Sequence, residues 1–136
     1  MGTCSYGWND ELRTGNDILD IQHKELMTKI TYLMAEIENE NTKAMSEAIS
    51  YLTDYIFDHF TLEESLMLKT NYPDFERHRD EHSHYVKYIF RLRQKMLITP
   101  DLIDEVSREL ACWFSEHILK TDIKMAEHLR KFIQCA

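Results

Sequence analysis

The chain has few of the residues that break or turn a backbone. Among 136 residues there are three glycines (Gly2, Gly7 and Gly15) and two prolines (Pro73 and Pro100), so nothing after residue 15 offers a glycine turn and no β-hairpin signal is present. Long apolar runs are missing, which excludes a transmembrane span. The three cysteines, Cys4, Cys112 and Cys135, show no metal-binding spacing, and their odd number argues against a disulfide framework. They are expected to be free thiols. Basic residues are in deficit: 16 Lys and Arg face 24 Asp and Glu, for a net charge of −8. They are also scattered, so neither nucleic acid nor an anionic membrane is an expected partner. Residues 1–16 lack a basic stretch followed by an apolar one, and Tyr6 stands where a myristoylation signal needs Ser or Thr. The expectation is a cytoplasmic protein that acts as a monomer.

The chain does contain apolar residues in alternating steps of three and four. One stripe runs Leu19, His23, Leu26, Ile30, Leu33, Ile37, and a second runs Met45, Ile49, Leu52, Ile56, His59, Glu63, Leu66. A third runs Phe75, His78, His82, Tyr85, Ile89, Leu92, Met96, and a fourth runs Ile103, Val106, Leu110, Trp113, His117. Each is the inward face of a bundle helix. The spacing predicts helices over about 17–39, 42–69, 74–97 and 100–120, after an arm at 1–16, with 123–133 either continuing the fourth helix or forming a short fifth. Short connections between long helices force antiparallel neighbours. The predicted fold is all-α, an antiparallel up-down-up-down four-helix bundle forming a single domain over 1–136.

Polar residues interrupt those stripes. His23, His59, Glu63, His78, His82 and His117 all fall on inward faces, and only Asp122 lies off its stripe. A buried unpaired carboxylate costs several kcal/mol or is forced to protonate, and a buried imidazole needs partners for both nitrogens. No Lys or Arg occupies a seam, so ion pairing does not explain the charge, whereas metal cations do. Residues four apart on a helix differ by only about 40° in direction and rise about 6 Å, so His59/Glu63 and His78/His82 each present two donors to one locus. An up-down bundle brings all four helices' candidates to the same end. Asp122, five residues beyond His117, must reach back or the helix must distort. Imidazole with carboxylate suits iron, zinc, copper or nickel. With two six-coordinate ions there are twelve positions. Five histidines fill five of them, two bridging carboxylates four and a bridging oxygen two, which leaves one open for a small molecule.

At this point the residues resemble those of the bacterial hemerythrins. The likeness runs from Trp8 through Gly15, Ile18, Asp20 and Gln22-His23-Lys24 to His59-Phe60-x-x-Glu63-Glu64. It continues through Tyr72-Pro73 and His78-x-x-x-His82 to Trp113-x-x-x-His117-Ile118-x-x-x-Asp122. The resemblance implies two iron ions in a non-haem, oxo- or hydroxo-bridged centre with Glu63 and Asp122 bridging. His78, His82 and His117 would sit on one iron, and His23 and His59 on the other. It also implies reversible dioxygen binding at the two-histidine iron, for storage, buffering or delivery, and no enzymatic turnover. Few anionic ligands and no spare general acid on the seams agree with carriage. A sensor module, and further off a di-iron enzyme acting on peroxide or nitric oxide, are the alternatives.

Other residues have plainer readings. Trp8, Trp113, Phe114 and Ile118 line the oxygen pocket by resemblance, and core packing accounts for them equally well. Asp20 either orients a ligand or stabilises the first helical turn. Glu64, Glu81 and Glu116 flank ligands in sequence and are expected to face water, His84 and His128 to lie on the surface, and Tyr85 to be a core tyrosine.

Overall fold

In the computed structural model the described residues are 7–95 and 97–135, without the side chains of 134 and 135. Cys4, Tyr6, Met96 and the Cys135 side chain therefore lie outside them. Helix α1 spans Asp17–Glu38, α2 spans Thr42–Lys69 and α3 spans Phe75–Gln94. The fourth rod is α4 (Leu102–Val106), a π-helical segment Ser107–Cys112, α5 (Trp113–His117), a second π segment Ile118–Asp122, and α6 (Ile123–Cys135). No break falls near residue 120. The C-terminal segment continues the fourth helix through Cys135. The third helix stops at Gln94, three residues short of expectation, because Lys95 takes an extended backbone (ψ 95°).

Helix ends follow local chemistry. Asn16 and Asn41 accept from the amides of Leu19 and Ala44, capping α1 and α2. Without glycine, both helices still end in a left-handed turn. Glu40 (φ 55°) and Asn71 (φ 54°) occupy it, and the Asn41 and Tyr72 amides reach back to the Glu36 and Met67 carbonyls at 3.1 and 2.9 Å. This is the Schellman arrangement, and it joins α1 to α2 and α2 to α3 as tight antiparallel pairs. Cys112, expected as a free thiol, is disulfide-bonded; an odd cysteine count rules out complete pairing but not one bridge.

Among the described residues the core has two apolar clusters. The larger contains Leu26, Ile30, Leu52, Ile56, Phe60, Tyr85, Leu110, Phe114 and Ile118, and the smaller contains Leu19, Met67, Tyr72, Met125, Ala126 and Leu129. Along the helices a polar residue falls between them: His23 between Leu19 and Leu26, Glu63 between Phe60 and Met67, Asp122 between Ile118 and Met125. The bundle thus carries a polar layer sealed by apolar side chains above and below. Among the described residues no helix is long and apolar enough to cross a membrane.

Candidate metal centre

The structure brings all seven sequence-predicted residues together, and none is more than 3% exposed. His59/Glu63 and His78/His82 meet there as the four-residue spacing requires. Asp122 arrives by another route. In a straight α-helix a residue five positions on lies about 140° around the axis, but a π turn brings i and i+5 into line. The Ile118–Asp122 segment is such a turn, with the Ile123 amide donating to the Ile118 carbonyl. Asp122 is thereby swung into the core, where its Oδ1 lies 3.1 Å from His117 Nε2.

Each carboxylate divides its two oxygens between two groups of histidines. Glu63 Oε2 lies 3.0 Å from His59 Nε2 and 3.3 Å from His23 Nε2, while Oε1 lies 3.0 Å from His82 Nε2 and 3.4 Å from His78 Nε2. Asp122 Oδ2 faces His23 Nε2 at 3.1 Å, and Oδ1 faces His78 Nε2 at 3.0 Å. Two donor sets result. Glu63, His78, His82, His117 and Asp122 form one, and His23, His59, Glu63 and Asp122 form the other, with donor atoms in each lying within 4.8 Å of one another. Glu63 and Asp122 belong to both.

Apart from one hydrogen bond, between His23 Nε2 and Glu63 Oε2 at 3.3 Å, the donor atoms are not satisfied by one another. Nε2 of His59, His78, His82 and His117, Oε1 of Glu63 and both Asp122 oxygens are buried without a hydrogen-bond partner among the described residues. They crowd together at 3.0–3.4 Å, with lone pairs aimed inward. Left alone, the protein can balance these charges only with protons. Burial pulls the His23 and His117 pKa values down, but the close negative carboxylates Asp122 and Glu63, with Glu81 behind His117, outweigh it and push them up to about 9 and about 10. Burial would raise Glu63, yet the surrounding imidazoles hold it well below the usual carboxylate range, and Asp122 behaves alike. Cations resolve the same frustration by taking the inward lone pairs. Imidazole and carboxylate suit divalent transition metals, so the residues fit a metal pair.

Behind the donors stands a set of groups that the sequence reading missed. Gln22 Oε1 lies 2.6 Å from His59 Nδ1, Glu64 Oε2 lies 2.9 Å from His82 Nδ1, and Glu81 Oε1 lies 3.0 Å from His117 Nδ1. Each fixes its ring so that Nε2 points inward. Glu64 and Glu81 thus do not simply face water. Flanking a ligand turns a residue off its own seam, but the neighbouring helix presents a ligand to it there. Glu116 is exposed, paired with Lys120. The two carboxylate acceptors stand behind the three-histidine set, and the neutral amide of Gln22 behind the two-histidine set. Asp20 lies in the first turn of α1, and its Oδ1 accepts from the Thr14 amide (2.9 Å) and hydroxyl (2.8 Å), tying the arm to α1. Tyr85 is a core tyrosine, its hydroxyl donating to the Leu110 carbonyl at 2.8 Å. His84 is exposed, and His128 is half-buried against Thr70.

The four residues expected around a pocket separate. Phe114 is buried, its ring edge-on to His23 at 5.6 Å between centroids, and Ile118 is buried beside it in the larger cluster. Trp113 stacks flat on His117 (4.9 Å, 9°) and on Tyr85 (4.5 Å, 19°). It therefore lies on the three-histidine side and lines a surface cleft of about 370 Å³. Trp8 packs half-buried against the larger cluster with the Lys24 ammonium over its ring.

Comparison with known proteins agrees with this architecture. A family model described as the hemerythrin HHE cation binding domain matches residues 14–129. The chain is 30% identical over 129 residues to a bacteriohemerythrin of Stenotrophomonas maltophilia, covering 92% of this chain and 84% of the relative. It is 27% identical to a hemerythrin-like protein of Naegleria gruberi, covering 88% and 89% of the two chains. A crystal structure of wild-type hemerythrin superposes with a TM-score of 0.83 at 26% identity, covering 93% of this chain and 98% of that one. Together with a four-helix bundle closed around five histidines and two shared carboxylates, the match shows that this chain belongs to the hemerythrin family.

Proposed function

We propose that the protein binds dioxygen reversibly at a non-haem di-iron centre, as a store, buffer or carrier. Glu63 and Asp122 would bridge the two ions, with His78, His82 and His117 holding one and His23 and His59 the other. The observation that carries this reading is the unequal sharing: both carboxylates belong to both donor sets, and the two-histidine set has four groups where the other has five. With one donor fewer, the four-group side would leave a coordination position for a small diatomic. An iron pair held by these residues would supply the redox chemistry that reversible dioxygen binding needs.

The chain's own residues supply selectivity and protection. Gln22, Glu64 and Glu81 hold three imidazoles in the tautomer with Nδ1–H, leaving Nε2 free to donate its lone pair. Phe114 and Ile118 place apolar surface beside His23, and Phe60, stacked on His82 at 3.7 Å, closes the three-histidine side. Such a wall keeps water and protons from the ligand, and among the described residues no unassigned carboxylic acid or lysine stands in the layer to deliver a proton.

The test is spectroscopic. Purified protein should contain two irons per chain, and anaerobic reduction followed by air should raise a visible charge-transfer band that disappears under vacuum and returns with oxygen. Irreversible bleaching on first exposure to air sinks the carrier reading, and a single zinc per chain overturns the cofactor.

A further inference from the structure

Asp122 reaches the centre only through the π turn at Ile118–Asp122, and π geometry is rarely sustained without a local cause. The other π segment, Ser107–Cys112, has a visible hold in the Tyr85 hydroxyl, which donates to the Leu110 carbonyl within it. Glu81 offers the second turn a corresponding hold. Its Oε1 accepts from His117 Nδ1 at 3.0 Å and from Thr121 Oγ1 at 2.9 Å. The two donors bracket the turn, since His117 immediately precedes it and Thr121 immediately precedes Asp122. Thr121 also departs from its kind. Thr28, Thr31, Thr53 and Thr70 each donate to the carbonyl four residues earlier in their own helix, the usual choice for a helical threonine, whereas the Thr121 hydroxyl leaves its helix for α3.

We propose that Glu81 and Thr121 are positioning residues: a single carboxylate oxygen on α3 pins both ends of the π turn and thereby sets Asp122 in place as the second shared carboxylate of the centre. Resting on the two-metal reading above, the inference adds a division of labour on α3. His78 and His82 supply donors, and Glu81, between them, fixes the backbone register of the opposite rod. If the clamp is lost, the turn is free to rewind toward α geometry, which carries Asp122 around the axis and away from His23 and His78. The effect falls on both donor sets because Asp122 belongs to both.

Thr121→Val separates this role from simple orientation of His117, because it deletes only the hydroxyl and leaves the Glu81–His117 contact. The probe is cobalt(II) added to the metal-free full chain, followed by calorimetry and visible absorption, with amide hydrogen exchange at residues 118–123 as a second readout. Wild type should take up two equivalents. Thr121→Val should weaken at least one by about 10- to 100-fold and speed exchange at the Ile123 amide, while circular dichroism stays helical. Thr121→Ser, which keeps the hydroxyl, should restore both affinity and protection. If Thr121→Val binds and exchanges like wild type while Glu81→Gln loses affinity, Glu81 acts on His117 alone and the clamp is refuted. Should wild type itself fail to take two equivalents, the two-metal reading falls, and the clamp with it.

Discussion

Replacing His59 with alanine tests whether the centre is two unequal halves with shared carboxylates. The two-histidine set then drops from four donors to three, His23, Glu63 and Asp122, while the other set keeps all five. Loss of an outer partner of a ligand typically costs about 10- to 100-fold in metal affinity, so loss of a ligand itself should cost more. The second equivalent should weaken by over about 100-fold, or roughly 2.8 kcal/mol at about 1.4 kcal/mol per tenfold. The first should change little. The bundle should survive, because His59 Nε2 makes no hydrogen bond among the described residues and Gln22, released from Nδ1, is only half-buried and can turn to water. His82→Ala is the informative contrast. It leaves four donors, the number from which the smaller set is built, and so should be the milder of the two. Anaerobic calorimetric titration of metal-free protein with ferrous iron, repeated with redox-silent zinc, reads both equivalents. Equal weakening of both by His59→Ala would refute the idea of separable halves, and no weakening would remove His59 from the centre.

Other expectations follow from the same geometry. Tyr85→Phe strands the buried Leu110 carbonyl in the first π segment and should cost about 1–3 kcal/mol in denaturant unfolding; an unchanged midpoint would mean that water or the backbone reclaims the carbonyl. Asn16→Ala removes the side-chain acceptor for the Leu19 amide and should cost about 0.5–2 kcal/mol. Asp20→Ala should speed amide exchange at Thr14, because both Thr14 donors share Asp20 Oδ1; protection as in wild type would show that the arm is held by packing alone. Loading metal near neutral pH should release two or more protons per chain, because His23 and His117, pushed up to about 9 and about 10 despite burial, must become neutral to ligate. Calorimetry in buffers of different ionisation enthalpy counts them, and zero would contradict the charged layer. The sign for the metal-free protein follows. A raised folded-state pKa stabilises fully below the ordinary value of about 6.5, and that stability is lost as pH rises through about 9 to about 10. Metal-free protein should therefore melt at lower temperature in strong alkali than near neutrality.

Much of the fold was legible because helical periodicity is a local property. The four stripes place the helices, and the scarcity of glycine and proline removes alternatives. The stripes also mark six metal-ligand candidates, since an inward position identifies a residue as buried whatever its chemistry. The reading erred where one position was assigned without its neighbours. Trp113 sits at the stripe's edge while its neighbour Phe114 is buried in its stead, because the π segment before it rotates the fourth rod relative to an α-helical count. Glu64 and Glu81 look outward-facing within their own helices but face ligands on adjoining ones.

The sequence by itself determined the helices, their inward faces and the presence of imidazoles and carboxylates on those faces, because each of these depends on residue type and a spacing of three to five residues. Tertiary structure decided the rest: that Asp122 turns inward through a π turn, that each carboxylate splits its oxygens between two donor sets, and that Gln22, Glu64 and Glu81 back particular histidines. Those outcomes depend on the distance and rotation between separate rods, which side-chain packing sets and no single helix encodes.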